Sequence, residues 1–398
     1  MSVDILPVDQ ERATLVGRAW IPDVGPSVVA VREGELRDVT ADFPTVSSLI
    51  ETGCAADALE SARGTVIGTV EDIAANTGPE PAHPSQPSLL APVDLQVLKA
   101  AGVTFAVSMI ERVIEERARG DVAEAAAIRR ELSSRIGEDL AGLTPGSEAA
   151  GVLKKYLIEQ GWWSQYLEVG IGPDAEIFTK AATLSAVGFG SDIGVLRSSE
   201  WNNPEPEVAV IVDSRGHAAG ATLANDVNLR DVEGRSALLL PRAKDNNASC
   251  ALGPFVRLFD DEFAIDDVRR ARVRLDVTGE DGFELEGWSD MSLISRDPLD
   301  LVGQLMGAHH QYPDGAVLML GTLFAPTADR KGPGLGFSHE PGDIVRISSP
   351  ALGTLTNRVE HSEDCPPWTF GLAALFQNLA ARELTAPAAP IPATEGRS

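Results

Sequence analysis

Between residues 165 and 360 the apolar residues come in short runs, "EVAVIV", "RVRLDV", "GAVLML" and "DIVRISS", broken by Gly, Asp and Asn. Short runs bounded by turn formers read as strands, which commits this half of the chain to a mostly β domain with long loops. At the head of the first run, in "NNPEPEV", Glu205 and Glu207 precede an apolar stretch over 208–212. Residues i and i+2 of a strand face the same way, so the two carboxylates project together. They repel, and burial would drive one of them towards its neutral form. A divalent cation removes that conflict, because Mg²⁺ and Ca²⁺ take oxygen ligands. In a chain with 59 acidic residues, an exposed strand start with two solvated acids fits the same pair.

Further on, "GATLANDVNLRD" offers Asp226 and Asp231, either of which could complete a third ligand from a neighbouring strand. In "PRAKDNNASC", Lys244 stands among Asp245, Asn246 and Asn247, ahead of an apolar run. A lysine buried near a metal loses basicity and can exchange protons near neutral pH, whereas a solvated loop lysine has no such role. His309 and His310 suggest a metal at first sight. Adjacent strand residues point apart, so the pair reads as one core residue and one exposed, with a lid role open to them. The glycines of "GPGLGF" lack a following helix or a GK[ST] element and read as a flexible loop. No GxSxG is present.

The remainder organises around this β region as an α+β chain. Residues 1–90 read as a β-rich N-terminal domain, with strands at "ATLVGRAW" and "SVVAVREG", a helix at "PTVSSLIETG" stopped by Gly53, and the Pro-rich linker "NTGPEPAHPSQPS". Residues 91–383 read as the catalytic domain, with a helical segment over 104–160 and a β core over 165–375. Val107, Ile110, Val113 and Ile114 recur at helical spacing. Asp121 and Glu124 form a capping-box pattern, and Ser147 and Gly161 bracket a further helix. These helices serve as scaffold or oligomer packing. The Pro/Ala-rich tail, 384–398, reads as disordered.

Charge narrows the partners. A net charge of −26 over 398 residues repels phosphate backbones, which argues against nucleic acid. It also repels an anionic small substrate unless a local cation overcomes the field. No run of about 18 apolar residues is present, so no membrane span is expected. The N-terminus lacks a basic start and an apolar core of a signal peptide. Cys54, Cys250 and Cys365 are scattered without a CxxC pair, as in a reducing cytoplasm, and offer no thiolate metal site.

The order "PEPEVAVIV", "ANDVNLRD", "AKDNNASCALGPFV", "MSLISRDP", "DGAVLMLGT" and "GDIVRISSPALGTLTNRV" resembles the fumarylacetoacetate hydrolase superfamily over about residues 165–375. "LLAPVDLQVLKAAGVTFAVSMIERVIEERARGD", "WSQYLEVGIGPDAEIFTK", "NNPEPEV", "NDVNLRDVEGRSALLL" and "HHQYPDG" look closer to its sugar-acid dehydratase branch. That branch acts on 2-keto-3-deoxy-pentonates, the D-xylonate or the arabinonate form. The resemblance implies a mixed β-roll around a metal site and a homo-oligomer, a homodimer or a homotetramer. It implies Mg²⁺, with Mn²⁺ or Ca²⁺ as substitutes, and a small 2-keto acid dehydrated to 2-oxoglutarate semialdehyde in non-phosphorylative pentose catabolism.

Carried over by residue, the resemblance puts the metal ligands on Glu205, Glu207 and Asp226 and the catalytic lysine on Lys244. A catalytic glutamate falls on Glu176 in "GPDAEIFTK", where an extra Ala precedes the glutamate and the proline before it is missing. The Gly-Thr pair near the keto acid falls on Gly321 and Thr322, and Lys180 and Ser108 are placed to reach the sugar hydroxyls. Hydrolases of the superfamily carry a Glu–His pair that activates water. Here "TFAVSMIER" has no histidine, with Ser108 near that position, which favours a lyase. Three other readings stay open: a hydrolase of acylpyruvate-type β-diketone acids, a non-catalytic sugar-acid binding protein, and a decarboxylase or isomerase. Which of Glu176 and Lys244 is base and which is acid stays open as well.

Overall fold

The computed structural model describes residues 5–118, 124, 128, 143–159, 161–324, 328–332 and 336–385. Its first strands are β1 (Leu15–Ile21), β2 (Gly25–Arg32), β3 (Glu35–Asp38), β4 (Thr65–Thr69), β5 (Ser88–Leu90) and β6 (Val97–Gly102). After a helical section come β7 (Glu176–Ala181), β8 (Asp192–Val195), β9 (Asn202–Asn203), β10 (Pro206–Val212), β11 (Ala218–Asp226) and β12 (Asn228–Leu229). The last are β13 (Cys250–Leu258), β14 (Arg272–Thr278), β15 (Glu284–Asp290), β16 (Ala316–Met319), β17 (Ile344–Ser349) and β18 (Gly353–His361). The four apolar runs that open the sequence argument are β10, β14, β16 and β17.

An 11-stranded sheet runs β4-β3-β2-β1-β13-β11-β10-β16-β6-β7, with β5 attached to β1. A five-stranded sheet runs β15-β14-β17-β18-β8, and β9 and β12 form a two-stranded ribbon. The pairs β16–β6 and β18–β8 are parallel, so both larger sheets are mixed, within an α+β fold. The N-terminal strands join the large sheet edge to edge, since Leu15 of β1 pairs with Arg257 of β13. The Pro-rich stretch wraps around the buried side chain of Asn76, whose Nδ2 donates to the carbonyls of His83, Gln86 and Pro87.

Period-two alternation explains how the sheets stack. On β14 and β15 buried and exposed residues alternate, as in sheets with one wet face. Every residue of β10 is buried, because both of its faces are covered. Val208, Val210 and Val212 belong to the core that also holds Val273, Leu275, Val277, Val345 and Ile347 of the small sheet. Ala209 and Ile211 face a second core with Leu98, Ala100, Val317 and Met319. Each fully buried aliphatic side chain contributes about 1.5–3 kcal/mol, so β10 is held from both sides.

The helices Ala106–Ala118, Glu148–Glu159 and Gln165–Ile171 share a third core, which includes Met109, Val113, Ile114, Leu157, Leu167 and Trp201. The Ser147 hydroxyl accepts from the Ala150 amide at 3.2 Å, and Gly161 has φ +68, the two boundaries expected of that helix. Asp121, most of the helix expected after it, and residues 386–398 of the tail lie outside the described residues, as do 333–335 of "GPGLGF". The side chains of Val107 and Ile110 lie outside them too. His309 and His310 depart from the expectation of one core and one exposed residue. Both are exposed, on a tight turn closed by Gly307 and His310, where strand alternation does not apply. Among the described residues no helix is long and apolar enough to cross a membrane.

Candidate metal centre

Glu205, Glu207 and Asp226 converge because β10 and β11 are antiparallel neighbours. Glu207 lies opposite Ala224, Pro206 opposite Asn225, and the Asp226 amide donates to the Glu205 carbonyl at 3.1 Å. Alternation puts Glu205 and Glu207 on the face of Ala209 and Ile211, and Asp226 on the face of Ala224, at the rim of the second core. All three are buried, and one oxygen from each lies within 4.8 Å of the others. The competing acid, Asp231, points elsewhere. It accepts from the Ser199 hydroxyl at 2.7 Å and the Glu200 amide at 3.0 Å.

Two lysines reach this group. Lys244 ends the short helix Leu240–Lys244, and its Nζ lies 2.5 Å from Glu205 Oε2 and 3.0 Å from Asp226 Oδ2. Lys180, on β7, is fully buried, with Nζ 2.9 Å from Asp226 Oδ1. It also donates to the carbonyls of Val227, at 3.0 Å, and Lys244, at 2.6 Å. Lys180 therefore ties Asp226 to the backbone that carries Lys244, rather than extending towards a ligand.

Glu207 and Asp226 are electrostatically unequal. Burial, then the charges of Asp226 and Glu205, push Glu207 well above the ordinary carboxylate range, against the pull of Lys244 and the Gly321 amide. Burial also works to raise Asp226, but Lys180 and Lys244 outweigh it and hold its carboxyl below the ordinary value. Buried, convergent oxygen donors with one carboxyl forced towards neutrality fit a hard divalent cation, which would let all three ionise together.

A narrow cavity opens on these ligands, and Glu176, Phe178, Lys244, Gly321 and Thr322 help line it. Glu176 begins β7 opposite Gly102 of β6, and a Cβ on Gly102 would collide with its carboxylate. Gly321 has φ +89, and a Cβ there would strike the Thr104 hydroxyl and approach the Ala101 carbonyl to 3.0 Å. Its amide donates to Glu207 Oε2 at 2.7 Å. Thr322 is buried, and its hydroxyl accepts from the Phe324 amide at 3.1 Å. Ser108 lies in the helix Ala106–Ala118, with its side chain outside the described residues. Sequence reasoning did not single out Glu233, which is buried and also lines the cavity. Nothing local marks it among 59 acidic residues.

Residues 168–360, which hold Glu176, Lys180, Glu205, Glu207, Asp226, Glu233, Lys244, Gly321 and Thr322, match the fumarylacetoacetate (FAA) hydrolase C-terminal family. That match spans just under half of the chain. Among curated proteins it is 34% identical over 185 residues to a 2-dehydro-3-deoxy-D-arabinonate dehydratase of Saccharolobus solfataricus, covering 46% of this chain and 58% of that one. It is 31% identical over 194 residues to a "Probable 2-keto-3-deoxyxylonate dehydratase" of Haloferax volcanii, covering 49% and 63%. The matched stretch thus spans less than two thirds of either relative. The fold is shared with a solved 2-keto-3-deoxy-D-arabinonate dehydratase in its apo form, with a TM-score of 0.62 at 21% identity over 87% of this chain and 99% of that one. The structure of that name complexed with magnesium and 2,5-dioxopentanoate gives a TM-score of 0.61, with the same identity and coverage.

Proposed function

We propose that this protein is a Mg²⁺-dependent dehydratase converting a 2-keto-3-deoxy-pentonate, the D-xylonate or arabinonate form, to 2-oxoglutarate semialdehyde. The observation that carries the reading is the buried trio Glu205, Glu207 and Asp226 in one cavity with Lys244 and Glu176. The two dehydratase relatives support it, as does the magnesium and 2,5-dioxopentanoate bound in a structure of the same fold. Mn²⁺ and Ca²⁺ are the substitutes such an oxygen-donor set accepts.

Glu205, Glu207 and Asp226 would hold the cation, which when bound supplies Lewis-acid polarisation of a chelating 2-keto acid. Lys244 stands among the ligands and takes a proton from C3. Glu176 lines the cavity outside the ligand set and donates a proton to the departing 4-hydroxyl. The C3–H and C4–O bonds break, a C3–C4 double bond forms, and one water leaves. Proton transfer from C5 then gives an enol that tautomerises to the terminal aldehyde. The Thr322 hydroxyl hydrogen-bonds the substrate carboxylate, and Gly321 lets the backbone approach closely.

Incubation with both epimers and Mg²⁺, coupled to oxidation of the semialdehyde, tests this directly. Turnover that vanishes in EDTA and in Lys244→Met, with Mg²⁺ binding retained by the variant, is the expected result. Normal turnover by Lys244→Met removes that residue from the chemistry. Cleavage of an acylpyruvate with both pentonates untouched transfers the assignment to a hydrolase, the reading that the missing histidine in "TFAVSMIER" disfavours.

A further inference from the structure

We infer that Arg296, in "MSLISRDP", is a positioning residue for Glu176: it holds the loop that delivers the glutamate to the cavity. This inference rests on the proposed reading of Glu176 as the proton donor. Arg296 is 4% exposed and is not among the residues that line the cavity. It acts through the backbone ahead of Glu176.

That backbone is the loop 172–175, between the helix Gln165–Ile171 and β7, whose first residue is Glu176. Arg296 Nη2 donates to the carbonyls of Val169 at 2.7 Å and Gly172 at 2.8 Å, and lies 3.3 Å from that of Asp174. Its Nη1 donates to the Pro173 carbonyl at 3.4 Å. The next residue is held from the same side, because Gln304 Oε1 accepts from the Ala175 amide at 2.6 Å. Gln304 belongs to the helix Pro298–Leu305, and its Nε2 donates to Asp300 Oδ2 at 3.0 Å, which fixes the amide. The base of Arg296 is fixed as well. Ile294 bridges Phe105, and the Ser295 amide and hydroxyl both donate to the Thr104 carbonyl, at 2.8 and 2.7 Å.

A buried cation is kept where its donors are met. Asp300 and Asp174 act on the guanidinium through space, and its hydrogen bonds go to main-chain carbonyls. A cation at a helix C-terminus satisfies the last carbonyls and complements the dipole, which explains the contact to Val169. A cap of that kind would end with the helix. The grip of Arg296 continues through the carbonyls of residues 172, 173 and 174, up to two residues before Glu176. The planar fork of arginine spans such a row of acceptors, and the point charge of lysine does not. A reacting group needs this kind of support to stay in its productive position.

Arg296→Lys keeps the charge without the span, and Arg296→Met removes both. In the Mg²⁺-loaded variants, hydrogen exchange should quicken over residues 172–178, while residues 205–226, which carry the cation ligands, keep their wild-type rates. Calorimetric affinities for Mg²⁺ and pyruvate should stay near wild type. With the pentonate substrate, kcat should fall by roughly 10- to 100-fold in Arg296→Met at a KM near wild type, the loss expected of a proton donor displaced by about 1 Å. Arg296→Lys should lie between the two, and it carries the test alone if the Met variant fails to fold.

Unchanged exchange over 172–178, or a wild-type kcat in the variants, overturns the inference. So does a loss of Mg²⁺ or pyruvate affinity as large as the loss of kcat, because that marks a general loosening of the fold. A wild type that dehydrates neither pentonate refutes the proposed reaction instead. Exchange then decides alone: quickening confined to 172–178 leaves the placement of Glu176 by Arg296 standing, and unchanged exchange overturns it.

Discussion

At the scale of single residues, the centre is defined by how unequally Glu207 and Asp226 hold their protons. Glu207 is pushed well above the ordinary range by burial first and then by Asp226 and Glu205. Without a cation, its neutral form contributes stability that is fully present below the unfolded carboxylate value. That contribution is lost as pH rises through the raised folded value. A bound cation removes the penalty on the ionised form. The rise in melting temperature caused by Mg²⁺ should therefore grow as pH rises above the ordinary carboxylate range, reaching about 2.7 kcal/mol of stabilisation at a hundredfold excess over Kd. Glu207→Gln should raise the melting temperature of the metal-free protein at the alkaline end and abolish most of the Mg²⁺ increment. Scanning fluorimetry across pH checks both, and a pH-independent increment contradicts the assignment of Glu207 as a ligand.

At the scale of elements, β10 has two duties that can be separated by mutation. Its even residues meet the small sheet, and its odd ones carry Glu207 into the second core. Leu275→Ala, on β14 facing β10, should lower stability by about 2–5 kcal/mol while leaving Mg²⁺ affinity near wild type. Gly321→Ala, just past β16, should instead impair Mg²⁺ binding along with a smaller loss of stability. Its φ of +89 and the nearby Thr104 hydroxyl and Ala101 carbonyl leave no room for a methyl, so the strand end must shift. The expected stability loss is about 1–2 kcal/mol, with the amide drawn off Glu207 and Mg²⁺ binding weakened. Denaturant melts paired with Mg²⁺ titration distinguish the two outcomes.

At the scale of the whole molecule, a net charge of −26 surrounds a site proposed to take an anion. The long-range field opposes approach, and salt screens it over a Debye length of about 10 Å at 0.1 M. Raising ionic strength from about 10 mM to about 150 mM should therefore increase the association rate of pyruvate with the Mg²⁺-loaded protein by several-fold. Stopped-flow binding measures this. A rate that falls with salt would mean that the local cation and the two lysines dominate the approach path as well as the bound state.

The four apolar runs are strands in the structure, because a short run between turn formers has few other ways to be buried. The facing of Glu205 and Glu207 was equally legible, since strand alternation is a property of the backbone. A period of two cannot name the neighbouring strand, however. "GATLANDVNLRD" offered Asp226 and Asp231 on equal terms, and the β10–β11 register decided for Asp226 while Asp231 went to hold Ser199 and Glu200. The same limit hid Glu233, which lines the cavity from the end of the short helix Arg230–Glu233. It also hid the engagement of Lys180 by Asp226. The sequence alone determined which residues form strands and which way their side chains face, because those follow from local alternation. Which carboxylates and lysines meet was decided only by tertiary packing, because that depends on register between strands far apart in the chain.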